Sequence, residues 1–129
     1  MLFSNQIARY VVALAWLYHG LFPKLLQIAP LELLMSSSVG LSDEATYILI
    51  KVAGVAEVIW GVVFFVFYKF RVILYINILA LSGLLIAVVL LLPQILLEAF
   101  NPVTTNIPLI ALSLIILNNI NSKVDPSNL

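Results

Sequence analysis

The sequence has no cysteine and one histidine. The first absence excludes disulfides, thiolate metal sites, iron–sulfur clusters and Cys-x-x-Cys redox chemistry. The second excludes bis-histidine haem ligation within one chain, and a single His among scattered carboxylates leaves no zinc site in view. Charge is also scarce: six basic and six acidic residues make up 9% of 129 positions, against about 25% in a soluble domain. That excludes a water-soluble globular protein, a disordered chain and a nucleic-acid binder with a basic footprint. There is no His-Glu-x-x-His, no phosphate-binding glycine loop and no Gly-x-Ser-x-Gly elbow. Without a nucleophile–base pair or a metal constellation, an autonomous enzyme is the least favoured class.

What the chain has is apolar length. Hydrophobic residues make up 64% of it, enough for about four membrane spans of ~20 residues. The expectation is an all-α polytopic membrane protein, an antiparallel four-helix bundle forming one membrane domain over residues 1–129. The spans fall at residues 7–26, 46–68, 72–92 and 106–120. A signal peptide is the rival for the first, but Trp16, Tyr18, His19 and Pro23 occupy the place of a small-residue cleavage site. Ser42-Asp43-Glu44 reads as a helix start. Lys69 to Arg71 is a tight turn that makes spans two and three a hairpin. The last span is short, so the preceding Phe100-to-Asn106 stretch can dip into the membrane. The connection at residues 27–45 holds an apolar Pro30-to-Met35 stretch able to lie along the interface as a short helix. The serines after it break that helix.

Arg9, Lys69, Arg71 and Lys123 fall on one side of the membrane, and Lys24 and Lys51 on the other. The side with more Lys and Arg in short loops is cytoplasmic, which predicts both termini inside. Glu32, Asp43, Glu44 and Glu98 then lie outside.

The informative residues are the polar ones that lipid should reject. Glu57 lies near the middle of span two, where an acid costs about 2.5–3.5 kcal/mol on insertion scales. Such a residue usually faces the bundle interior and marks a site. The bland reading is a structural Glu, hydrogen-bonded between helices or paired with Lys51. On a helical wheel Lys51, Gly54, Gly61 and Glu57 share a sector about 120° wide, with Trp60 outside it. Gly54 and Gly61 let a neighbouring helix approach, and Asn77 in span three reads as an interhelical hydrogen-bonding group. His19 and Lys24 end the first span on the side where Lys51 begins the second, so the outer half of the bundle can gather His19, Lys24, Lys51 and Glu57. Lys24 alone could instead snorkel to the head groups, and His19 alone could be a packing residue. Asn101 approaches from the same side, as a polar contact or an ordinary cap for the last helix. Trp16, Tyr18, Tyr47, Tyr68, Tyr75 and Tyr10 fit aromatic belts at the span ends.

Three segments resemble a known family. Trp16-Leu17-Tyr18-His19-Gly20-Leu21-Phe22-Pro23-Lys24 is similar to the opening motif of DoxX-like membrane proteins. Gly54-Val55-Ala56-Glu57-Val58-Ile59-Trp60-Gly61 resembles that family's Gly-x-x-Glu-x-x-x-Gly helix, and Phe100-Asn101-Pro102 resembles its approach to the last helix. The resemblance implies a four-helix bundle in a bacterial cytoplasmic (inner) membrane. It also implies a redox association, since the wider family takes its name from a subunit of a thiosulfate:quinone oxidoreductase. Most members have no established activity.

Three functions follow as expectations. The first is an accessory or ligand-binding subunit of quinone or lipid type in a redox assembly, with a non-covalently bound quinone. The second is a proton-coupled small-solute carrier in which Glu57 titrates. The third is a structural or assembly partner in which Glu57 and Lys51 are interhelical glue. The partners expected are the lipid bilayer and either a membrane redox protein or further copies of this chain.

Overall fold

A computed structural model describes residues 2–123. Among them there is no strand; five α-helices are joined by one π-helical and one 3-10 turn. They are α1 (Leu2–Gly20), a π turn (Leu21–Leu26), α2 (Pro30–Ser37), α3 (Asp43–Phe67), α4 (Arg71–Leu91), a 3-10 turn (Pro93–Leu97) and α5 (Pro102–Ser122). The helices α3, α4 and α5 are each long and apolar enough to cross a membrane. Residues Leu2–Leu26 qualify together with α2, from which they are bent by 86°, making three or four spans in all. Large side chains such as Val52, Leu79 and Leu90 are exposed, as expected of helices whose outer faces meet lipid rather than water.

Local chemistry sets the breaks. Pro23 lacks an N–H and its ring would strike the carbonyl four residues back. The chain widens there into the π turn, one of the usual accommodations for such a kink. Pro30 occupies the first turn of α2, where a missing N–H costs nothing. Ser37 and Ser38 hydroxyls donate to the carbonyls of Leu34 (3.0 Å) and Met35 (2.7 Å) at its far end. Gly40 then turns the chain at φ +81°, a left-handed conformation that only glycine adopts cheaply. Ser42 caps α3, accepting from the Ala45 N–H at 3.3 Å.

The final helix differs from its expected extent. It begins at Pro102 and runs to Ser122, so Val103-to-Asn106 is helical rather than a dipping loop. Asn101 is the reason. Its Oδ1 accepts from the N–H groups of Val103 (2.9 Å) and Thr104 (3.3 Å), while the Asn101 N–H donates to Thr104 Oγ1 (3.3 Å). This capping box satisfies three backbone or side-chain groups at once.

Two helix pairs, α1 with α3 and α4 with α5, run in opposite directions where they meet. Near its start α1 meets the end of α3 through Arg9, whose Nε donates to the Phe65 carbonyl at 2.7 Å. Near its end α1 meets the middle of α3 at glycine. A Cβ built on Gly20 would lie 2.5 Å from the Gly54 carbonyl, and one on Gly61 would lie 3.1 Å from the Ala13 carbonyl. Gly54 and Gly61 lie where the two backbones approach closely, with Gly20 opposite Gly54. Helices α4 and α5 also run oppositely, since Asn77 meets Ser113 and Leu81 meets Asn106.

At the centre four side chains form one hydrogen-bonded layer. Trp16 Nε1 (2.7 Å) and Trp60 Nε1 (3.0 Å) both donate to Asn77 Oδ1, and Asn77 Nδ2 donates to Ser113 Oγ at 2.9 Å. Ser113 Oγ in turn donates a hydrogen bond to the Leu109 carbonyl at 2.9 Å. Trp16 is therefore buried in the core, which corrects the belt assignment: its indole N–H is needed by Asn77, a polar group that lipid-filled helices must satisfy internally. Tyr68 is buried too and accepts from Gln6 Nε2 at 3.1 Å, whereas Tyr10, Tyr18, Tyr47 and Tyr75 are exposed.

Candidate functional site

The π turn rotates Lys24 inward. Its side chain is only 8% exposed, and its Nζ lies 3.0 Å from Glu57 Oε2 and 2.9 Å from Glu32 Oε1. Glu57 comes from the middle of α3 and Glu32 from the first turn of α2. One ammonium thus bridges two carboxylates contributed by two other helices. Burying a charge is costly unless it is paired and hydrogen-bonded, and this pairing explains how both Lys24 and Glu57 persist inside the molecule.

Above the triad is a cavity of about 200 Å³. Its polar wall includes His19, Lys24, Glu32, Glu57, Asn101 and Asn106, and its apolar wall includes Met35, Leu84, Val88 and Ile95. A recess of about 30 Å³ continues inward between Trp16, His19, Glu57 and Asn106, room enough for a water among polar partners. Beneath it the Trp16–Asn77–Trp60–Ser113 layer fills the centre. Among the described residues no group of three or more His, Asp and Glu side chains could hold a metal ion.

Four of the five expected site residues line this cavity: His19, Lys24, Glu57 and Asn101. Lys51 does not. Its Nζ donates to the Leu25 carbonyl at 2.8 Å and sits 5.4 Å from the Tyr47 ring centroid. It closes the C-terminal end of the π turn, where a cation meets unpaired carbonyls favourably. Pairing of Lys51 with Glu57 is not what the structure shows, because six residues along one helix carry them about 9 Å apart in rise and about 120° apart in direction. Lys24 takes the partner's place. Asn101 is in the wall, but its side chain is committed: Oδ1 caps α5, and Nδ2 donates to the carbonyls of Leu96 (3.1 Å) and Glu98 (2.8 Å).

His19 has no side-chain hydrogen bond among the described residues and borders both cavity and recess. It is the polar ring left available to a ligand. Sequence reasoning missed Glu32 and Asn106. Glu32 reads as one more loop acid until α2 folds back over the end of α1. Asn106 donates from Nδ2 to the Leu81 carbonyl at 3.2 Å, and only its position in the first turns of an apolar helix could have drawn notice.

The sequence pattern of the DoxX-like family matches residues 13–114. The chain belongs to the DoxX-like family. The match takes in the Trp16–Lys24, Gly54–Gly61 and Phe100–Asn106 segments, which supply His19, Lys24, Glu57 and Asn101 to the cavity of this DoxX-like protein. No curated protein and no solved structure gives a significant match.

Proposed function

We propose that this DoxX-like protein is a ligand-binding membrane subunit, and that the cavity beside Lys24, Glu57 and His19 receives the head group of a lipid-soluble molecule of quinone type. The observation that carries this reading is a charged triad at the floor of a mostly apolar cavity of about 200 Å³. A cavity of about 150 Å³ accommodates benzene, so the volume suits one substituted ring. Lys24 and His19 offer N–H donors to ring oxygens. The triad carries two carboxylates to one ammonium, which disfavours an anionic ligand and favours a neutral one. Exposed Leu97 and Phe100 fringe this end of the molecule, a setting suited to a ligand arriving from the bilayer.

In this reading the long helices form an antiparallel four-helix bundle in a bacterial inner membrane, both termini inside. A redox enzyme of the same membrane is the natural partner. The carrier reading has less support, because the polar side chains of the Trp16–Asn77–Trp60–Ser113 layer next to the recess are engaged with one another.

Trp16 borders the recess, so ring binding is readable from its fluorescence. A short-chain benzoquinone titrated into detergent-purified protein should quench emission saturably, and Glu57→Ala and Lys24→Met should lose most of that saturable component. Mass spectrometry of the same preparation should find a co-purified lipid-soluble ligand. Equal quenching in wild type and both variants, with no co-purified ligand, would remove the proposal.

A further inference from the structure

The opposite end of the molecule has its own groove, independent of the cavity. It holds about 290 Å³ between the start of α1, the α3–α4 turn and the end of α5, and is lined by Asn5, Tyr68, Lys69, Asn119 and Lys123 with two aliphatic side chains. Hydrogen bonds and ring contacts engage several of its polar side chains. Asn119 Nδ2 donates to Asn5 Oδ1 at 2.6 Å and to Ser4 Oγ at 3.4 Å, and Asn5, which lines the groove, has an Nδ2 donor with no acceptor among the described residues. Tyr68 Oη accepts from Gln6, which leaves its own proton to donate. Two cations lie near the Tyr68 ring, with Arg9 Cζ at 4.7 Å and Lys69 Nζ at 5.9 Å from its centroid.

No described carboxylate lies at this end. Glu32, Glu57 and Glu98 belong to the Lys24 end, as do Asp43 and Glu44 at the start of α3. Asp125, the one acid near Lys123 in sequence, is outside the described residues. An amide N–H, a phenol O–H and two ammonium groups around one groove at a helix end are matched by a group rich in acceptors and negatively charged.

We infer that the groove is a binding site for an anionic phosphate group, that of a phospholipid head group whose acyl chains lie along the adjoining helices. Basic pockets between helices at a membrane surface recognise such head groups. Exposed Leu2, Ile7 and Phe70 near the groove give those chains an apolar surface to follow.

The test is retention of lipid by the detergent-purified full chain in native mass spectrometry. Phosphatidylglycerol should be retained at one per chain in preference to zwitterionic phosphatidylcholine, and less so at high salt. The double variant Lys69→Ala/Lys123→Ala should weaken retention on the order of tenfold. Asn5→Asp should also weaken it, since the new carboxylate keeps the bond from Asn119 while repelling phosphate. Unchanged tryptophan emission verifies that both variants fold. Inorganic phosphate in lipid-free detergent is the second arm: saturation there, with phosphatidylglycerol binding no more tightly, would assign the site to free phosphate and overturn the lipid. Equal retention of the two lipids, or equal retention by wild type and both folded variants, overturns the site itself.

Discussion

Lys24 holds together carboxylates from two helices, so the two ends of its ion pairs are not equivalent. Removing Lys24 strands both Glu57 and Glu32, while removing the Glu57 charge leaves Lys24 with Glu32 at 2.9 Å. Breaking a buried pair costs about 3–5 kcal/mol, whereas replacing both partners by apolar groups is often neutral. Lys24→Met should therefore destabilise more than Glu57→Gln, and Lys24→Met/Glu57→Leu should recover part of the loss; unfolding in a denaturing detergent measures the order. Asn77 is the second decisive residue. Asn77→Leu deletes three interhelical hydrogen bonds worth about 0.6 kcal/mol each on average in membrane proteins, and both tryptophans of the chain lose their acceptor. A loss near 2 kcal/mol should come with a shift in emission, because the chain contains only two Trp. The polarity of Glu57 and Asn77 was legible in the sequence because lipid-facing positions exclude such groups. Their partners were not, because nothing local distinguishes Lys24 from Lys51 or Trp16 from a belt aromatic.

The π turn, α2 and α5 carry what is distinctive between elements. Pro23 and Pro30 bracket the bend that brings Glu32 over Lys24, and both prolines were visible; the direction of the 86° bend was not. The Asn101 cap lengthens α5 beyond the expected span because a capping box needs the helix to start at once after Asn101. The α1–α3 contact depends on glycine. Gly20→Ala and Gly54→Ala each drive a Cβ to within 3 Å of backbone on the other helix, so the helices must separate, at a cost of about 1–3 kcal/mol. Gly83→Ala is the control: no atom lies within 4 Å of its Cβ position, and alanine favours helix over glycine. Thermal stability should fall for the first two variants and hold or rise for the third.

For the whole molecule, the separation of charge is the main feature. Basic residues gather at the Arg9 end and most acids at the Lys24 end, so the zero net charge averages two unlike faces. Val39 and Asn121 are each exposed, and the proposed orientation, with both termini inside, puts them on opposite sides of the membrane. The chain has no cysteine, so a single introduced one reports cleanly. Val39→Cys should react with a membrane-impermeant maleimide in intact cells, and Asn121→Cys only after permeabilisation; the reverse pattern would invert the topology.

The sequence by itself determined the class of molecule, its helices and the short set of polar residues worth explaining, because hydropathy and helix chemistry are local. It also placed His19, Lys24 and Glu57 in one half of the chain's thickness, since depth along a helix follows from counting residues. Tertiary structure decided which of those groups touch. It gave Glu57 to Lys24 rather than Lys51, added Glu32 by folding α2 back, and buried Trp16 against Asn77. These are distances between helices, fixed by the proline bend and the glycine contacts acting together, and no single segment contains them.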